Sequence, residues 1–277
     1  MTTSHNHTGT DEATTLDRAQ DLFDQEGFVL TPPIVPDDVV ARAMEGMDAV
    51  LAGEYETGVE PRARLWNPGD DPQTLRKVDM PHVCNRAITE LIKHPTIGQW
   101  AAAVTGAKAV HVFAVQLLYK PPGGRPDAAV GWHQDRQYWQ QWSPESELFT
   151  AWIAISDVIE ASGPLRFARG SHRWGFLDQG DFFSTDSDQQ RKQIPLPAGQ
   201  CWEEISAVLP PGAVSFHHSL TYHGSRPNLS SEPRRSFAVH LRTEKSEIVP
   251  HANENSLYYG SRLDDPLFSP VIYGQHT

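Results

Sequence analysis

A chain of 277 residues and 30.9 kDa is long enough to bury roughly 70–75% of its unfolded surface and needs no disulfide or metal staples to fold. Lys and Arg number 23 against 35 Asp and Glu, a net charge of −12, so the electrostatic footprint of a nucleic-acid binder or of a protein drawn to anionic membranes is missing. Cys84 and Cys201 are too few for a disulfide framework, no apolar run approaches the ~20 residues of a membrane span, and the polar start lacks a signal-peptide pattern. The expectation is a cytoplasmic protein whose partner is a small molecule.

Residues 1–14 are polar with nothing to bury and are expected to form a flexible tail ahead of one domain over 15–277. Leu16, Ala19 and Phe23, closed by Gly27, fit a short amphipathic helix. A second helix is predicted after Pro36, where Asp37 and Asp38 fall in the first turn and Val40, Met44, Met47 and Leu51 recur at helical spacing. Two more are predicted over 86–93 and 96–104, the latter stopped by Gly106. Beyond that point the period turns extended. Strands are predicted at 110–119, 149–156, 213–217 and 235–242, runs rich in Val, Ile, Phe, Trp and Thr between Pro and Gly turns. In the last run Phe237, Val239 and Leu241 share one face, while Arg234, Ser236, Ala238 and His240 share the other. A polar inward face suggests a barrel or sandwich lined by a site, and helices followed by strands suggest an α+β or all-β domain with a helical flank. The polar stretches 60–79 and 178–200 show no sustained period and no apolar set to hold them down, and read either as mobile covers over that site or as surface insertions with no role.

The chemistry starts at His133-Gln134-Asp135, where an extended chain points the imidazole and the carboxylate to the same face. His223 could add a third ligand. Two imidazoles and one carboxylate on one face of a divalent metal leave positions open, as non-haem Fe(II) oxygenases require for cosubstrate and O₂; the helical His-Glu-x-x-His of zinc hydrolases is absent. Among 13 histidines, a lone His-x-Asp is more often a surface or cap pair. Arg234, however, stands on the strand that follows His223, where its fork could hold a dicarboxylate bidentately. Arg235, on the opposite parity, reads as a solvated edge. His172, His217 and His218 read as structural histidines with hydrogen-bond partners.

Taken together, Trp132–Trp139, Ala151–Val158, Gly163–Gly175 and Pro211–His217 running on to Asn228, with the opening Phe23–Val29, resemble the phytanoyl-CoA dioxygenase family of Fe(II)- and 2-oxoglutarate-dependent oxygenases. The resemblance covers about 16–242. It implies a mainly β fold, a double-stranded β-helix (jelly roll, cupin-like) with flanking N-terminal α-helices. It places Fe(II) on His133, Asp135 and His223, the distal carboxylate of 2-oxoglutarate on Arg234, and a hydroxyl donor at Ser225. Trp152 and Gln116 would line either the cosubstrate site or the core. The implied reaction hydroxylates an aliphatic C–H of a small molecule, secondary-metabolite or amino-acid/phosphonate-like, consuming O₂ and 2-oxoglutarate and releasing succinate and CO₂. Asp135 speaks against halogenation, which needs a small residue there. For the substrate, Tyr138 and Trp139, with Trp142, would supply aromatic walls unless they are core. Arg64 and Lys77, with Arg62 and Arg76, would anchor an anionic group unless they sit on a solvated loop. The alternative is a metal-binding cupin-like isomerase or lyase, or a non-catalytic jelly roll that binds a ligand; neither needs an arginine clamp.

Overall fold

The computed structural model describes residues 15–249 and 262–275; the tail expected at 1–14 lies outside them. α1 (Ala19–Glu26) buries Ala19 and Phe23 and stops at Gly27. That residue has φ +82, and a β-carbon on it would strike the His172 ring and the Thr221 hydroxyl, so conformation and close approach both require glycine. β1 (Phe28–Pro33) follows, then α2 (Asp37–Ala52), whose Val40, Met47 and Leu51 face the core. β2 (Ala63–Arg64) and β3 (Arg76–Asp79) lead to α3 (Arg86–Ile92), where the Asn85 side chain caps the first turn by accepting the Ile88 N–H at 3.2 Å. α4 (Pro95–Thr105) closes the helical flank. Each of the four N-terminal helices expected from spacing is present.

The β part runs β4 (Val110–Lys120), β5 (Val130–His133), β6 (Leu148–Ala154) and β7 (Leu165–Ala168), then α5 (Ser187–Gln193) and β8 (Glu204–Ser206). It ends with β9 (Ala213–His218), β10 (His223–Ser225), β11 (Arg234–Thr243) and β12 (Val271–Tyr273). Two antiparallel sheets result, one in the order β1-β9-β6-β11-β4-β3-β2 with β12 also on β4, the other β5-β10-β7-β8. This is a double-stranded β-helix. The outer face of the larger sheet, with Val115, Ile153, Phe216, Phe237, Val239 and Leu241, packs on Met47, Leu91 and Ile97 of the helices. Its inner face presents Leu118, Trp152 and Ala238 to Leu165 and Phe167 of the smaller sheet. The parity expected along β11 therefore holds, and beside this apolar cluster the space between the sheets is lined by polar residues.

Two expectations need correction. The stretch 60–79 is anchored, because it contributes β2 and β3 to the larger sheet and buries Trp66, Leu75 and Val78. The stretch 178–200 contains α5, and it is fastened to the edge of β5 by polar groups: Gln190 accepts the Trp132 N–H at 2.6 Å and donates to Trp132 O at 2.7 Å, while Gly131 N donates to Phe182 O at 3.0 Å. No helix among the described residues is long and apolar enough to cross a membrane.

Candidate active site

β5 and β10 are neighbours, and their register sets His133 directly opposite His223. The strand ends at His133, Gln134 stays extended, and Asp135 opens a 3-10 turn that returns its carboxylate to the same space. Nε2 of His133 and of His223 lie 3.6 and 3.7 Å from Asp135 Oδ1, and ligand atoms of the three residues all fall within 4.8 Å of one another. Each ring is held from behind, His133 Nδ1 2.9 Å from Gly131 O and His223 Nδ1 3.0 Å from Thr221 O. A carbonyl oxygen only accepts, so Nδ1 carries a hydrogen on both rings and Nε2 is the atom turned toward Asp135. Two imidazole lone pairs and a carboxylate with backbone support behind them fit a divalent iron.

Behind this trio stands a second layer of polar groups. Thr150 Oγ1 donates to Asp135 Oδ2 at 2.8 Å, and because its one hydrogen is thus used it accepts from His240 Nδ1 at 2.9 Å. His217 Nε2 lies 3.4 Å from the same Oδ2. Among the described residues neither ring nitrogen of His217 has a hydrogen-bond partner of normal geometry, so the contact with Asp135 stands in place of the hydrogen bond expected of a structural histidine. Burial raises the Asp135 carboxyl, but the imidazoles of His223, His133 and His217 outweigh it and hold the group well below the usual carboxylate range. Burial, reinforced by His133, pushes His223 well below the ordinary imidazole range, and burial pushes His240 down to about 4. Asp135 is thus an anion, and burial favours the neutral forms of His223 and His240, which suits a metal site.

A narrow slot of about 40 Å³ leads from the trio between the sheets and is lined at its far end by Trp152, Ser225 and Arg234. Arg234, 1% exposed, gives Nη1 to Gly163 O at 2.7 Å; its Nε has no partner, and its guanidinium lies over the Trp152 ring at 5.1 Å. Burial pulls it down to about 9, so it stays cationic at neutral pH. Lys120, opposite Arg234 on β4 and given no site role from the sequence, donates Nζ to Ser225 Oγ at 2.7 Å and to Arg226 O at 2.6 Å. Burial, with the charges of Arg234 and Arg166 added, pushes Lys120 well below its ordinary range. Ser225 accepts from Lys120 and so keeps its own hydrogen to donate. Among the described residues Arg234 meets no carboxylate, and a buried cation without an anion calls for one from outside.

On the other side of the trio a cavity of about 190 Å³ is lined by Lys77, Gln116, Tyr138, Trp139, Phe182, Phe183 and His240. Gln116 lines both spaces. Trp139 is both wall and core, packing edge-on to Phe113 and His240, whereas Trp142 is core alone, against Phe113. Phe182, from the 178–200 stretch, lies 5.3 Å from the His133 ring, and its N–H donates to Tyr138 Oη at 2.9 Å. Arg64 is not part of the site. Its guanidinium donates to Val50 O and Leu51 O at 2.7 and 2.8 Å and so caps the end of α2. Arg235 turns away to Asp48 at 3.0 Å, and Arg76 lies over the Trp66 and Tyr119 rings.

Residues 23–236 match the phytanoyl-CoA dioxygenase (PhyH) family. The chain belongs to that family. Among curated relatives it is 25% identical over 250 residues to an ectoine dioxygenase of Bordetella parapertussis, covering 86% of this chain and 79% of that protein. It is 28% identical over 176 residues to a probable alpha-ketoglutarate-dependent hypophosphite dioxygenase of Stutzerimonas stutzeri, covering 62% and 58%. Its fold is similar to that of the non-heme alpha ketoglutarate dependent carbocyclase SnoK from nogalamycin biosynthesis, with TM-score 0.68, 22% identity and 89% and 93% of the two chains covered. A member of the phytanoyl-CoA dioxygenase family with this donor set is an Fe(II)- and 2-oxoglutarate-dependent dioxygenase acting on a small molecule.

Proposed function

We propose that His133, Asp135 and His223 hold the iron, that Arg234 grips the distal carboxylate of 2-oxoglutarate, and that Ser225, set by Lys120, adds a hydroxyl hydrogen bond. Trp152 floors that slot and Gln116 stands between it and the substrate cavity walled by Tyr138, Trp139 and Lys77. The single observation that carries this reading is the pairing of a trio of two imidazoles and one carboxylate with a buried arginine that, among the described residues, meets no carboxylate, at opposite ends of one slot. Bound there, iron and 2-oxoglutarate supply the oxidising power: O₂ is reduced as the cosubstrate is decarboxylated to succinate and CO₂, and one oxygen atom goes to a C–H bond.

The protein's own part is positioning. Gly131 O and Thr221 O fix the two imidazoles, Thr150 fixes Asp135, and the His240 Nδ1–H holds Thr150 in its donating orientation. Phe182 and the aromatic walls displace water from the reacting end of the cavity. The reaction is read as hydroxylation of an aliphatic C–H, in keeping with the dioxygenase names of the relatives. Two free cysteines, Cys84 buried and Cys201 exposed, suit a reducing cytoplasm. The test is succinate release and O₂ uptake by the purified protein with Fe(II), ascorbate and 2-oxoglutarate: release that depends on both iron and 2-oxoglutarate supports the reading, and none above a metal-free control removes it.

A further inference from the structure

We propose that the cavity beside the metal trio takes a small organic anion whose charged end is bound by Lys77 and Tyr138. The inference rests on the oxygenase reading above and names the class of its substrate. Lys77 and Asp79 lie two apart on β3 and share a face, and Lys77 Nζ donates to Asp79 Oδ1 at 2.6 Å, with side chains only 16% and 8% exposed. Of the two, Lys77 lines the cavity and Asp79 stands behind it. An ammonium has three hydrogens, and among the described residues Lys77 Nζ uses one, on Asp79. Asp79 therefore acts as the orienting group, and the remaining donors are free for a ligand.

Tyr138 supplies a second donor by the same arithmetic. Its Oη accepts the Phe182 N–H at 2.9 Å, which leaves its hydrogen to give. Trp139, Phe182 and Phe183 give the wall its apolar part, and Gln116, His240 and the metal trio's His133 and Asp135 complete it, so the cavity offers charge-assisted donors at one place, apolar surface beside them and the reacting centre at its inner end. That pattern matches a carboxylate or phosphonate on a short hydrocarbon body. At about 190 Å³ the cavity falls below the ~300–1,000 Å³ of pockets for drug-sized ligands, so the body is short. A net charge of −12 repels an incoming anion at long range, which makes these local donors the source of its affinity.

The experiment uses full-length protein loaded anaerobically with Mn(II) and saturating 2-oxoglutarate, so that binding is read without turnover. Butanoate, hexanoate and hydrocinnamate are titrated calorimetrically, each against its primary amide and its phosphonate counterpart. Wild type should bind at least one acid or phosphonate about tenfold more tightly than the matched amide, and comparison of the two anions tells carboxylate from phosphonate. Lys77→Met should abolish that preference, Tyr138→Phe should lower it several-fold, and Lys93→Met, on an exposed lysine, should leave it intact. Should Lys77→Met fail to fold because Asp79 loses its ion pair with Lys77, the Lys77→Met/Asp79→Leu double variant removes both charges together. An anion preference absent from wild type, or surviving in folded Lys77→Met or the double variant, overturns the inference. Iron-dependent succinate release is scored separately, so a chain that turns over 2-oxoglutarate but shows no anion preference fails this inference alone.

Discussion

Arg234 and Arg235 are neighbours on β11 with opposite fates: the first is buried over Trp152 with donors to spare, the second reaches Asp48 on the far face. Strand alternation alone produces that difference. Removing one partner of a buried charge pair costs ~2–5 kcal/mol, so Arg234→Ala should raise the 2-oxoglutarate concentration needed for half-maximal turnover by tens- to thousands-fold. Arg235→Ala, which loses a surface pair worth ~0–1 kcal/mol, should leave that requirement within about twofold. Steady-state kinetics on the two variants decides, and a larger effect at Arg235 would invert the assignment. Parity read from the sequence already separates these two arginines, and the same parity puts Gln116 and Lys120 on one face of β4, so Lys120 could have been found that way. Arg64 was beyond such reading, because an arginine in a loop has the same sequence signature whether it faces a ligand or, as here, the last carbonyls of α2.

Among the elements, β4 and β11 were legible because ten or eleven residues are enough to show a period. β5 and β10, which carry the two histidines, have four and three residues, too few to display one; the motifs around His133 and His223, rather than any periodicity, marked them. α5 was invisible for another reason. Its sequence, Ser187–Gln193, is wholly polar, and its one buried residue is Gln190, whose amide pairs with both backbone groups of Trp132. Since β5 is an edge strand of the smaller sheet, Gln190 does for Trp132 what a neighbouring strand would otherwise do. The 178–200 stretch thus brings Phe182 against the His133 ring and is fastened largely by hydrogen bonds, with Ile194 as its one buried apolar side chain. Gln190→Leu leaves the Trp132 N–H without its acceptor, a cost of about 1–3 kcal/mol for such a group, while Trp132 O keeps the Asp181 N–H at 3.0 Å. Amide exchange at Trp132 and Asp181 should accelerate by at least tenfold in that variant while exchange in β11 stays unchanged. Uniform acceleration across the molecule would mean that the segment is not a separate unit.

At the scale of the whole molecule, two sheets leave a polar seam down the middle of an apolar fold, and the helices on the outer face of the larger sheet keep that seam closed from behind. Buried neutral histidines outside the seam tie stability to pH. Burial pushes His82 and His218 from an ordinary 6.5 to about 4, His82 giving Nε2–H to Phe268 O and His218 Nδ1 accepting from Leu220 N. Between those values the unfolded chain binds more protons than the folded one, so stability is full above pH 6.5, declines as the pH falls toward 4, and loses nothing more from these groups below it. Denaturant titrations should show His82→Gln losing stability less steeply across that window, by up to one proton per molecule, and equal slopes would contradict the neutral, buried state of His82. The central claim, that one strand pair and its following turn build an iron site from His133, Asp135 and His223, is met most directly by anaerobic equilibrium dialysis with Fe(II). Wild type should bind one Fe(II) per chain, and Asp135→Ala and His223→Ala, with unchanged circular dichroism, should bind less than a tenth of that; undiminished stoichiometry in both variants would contradict it.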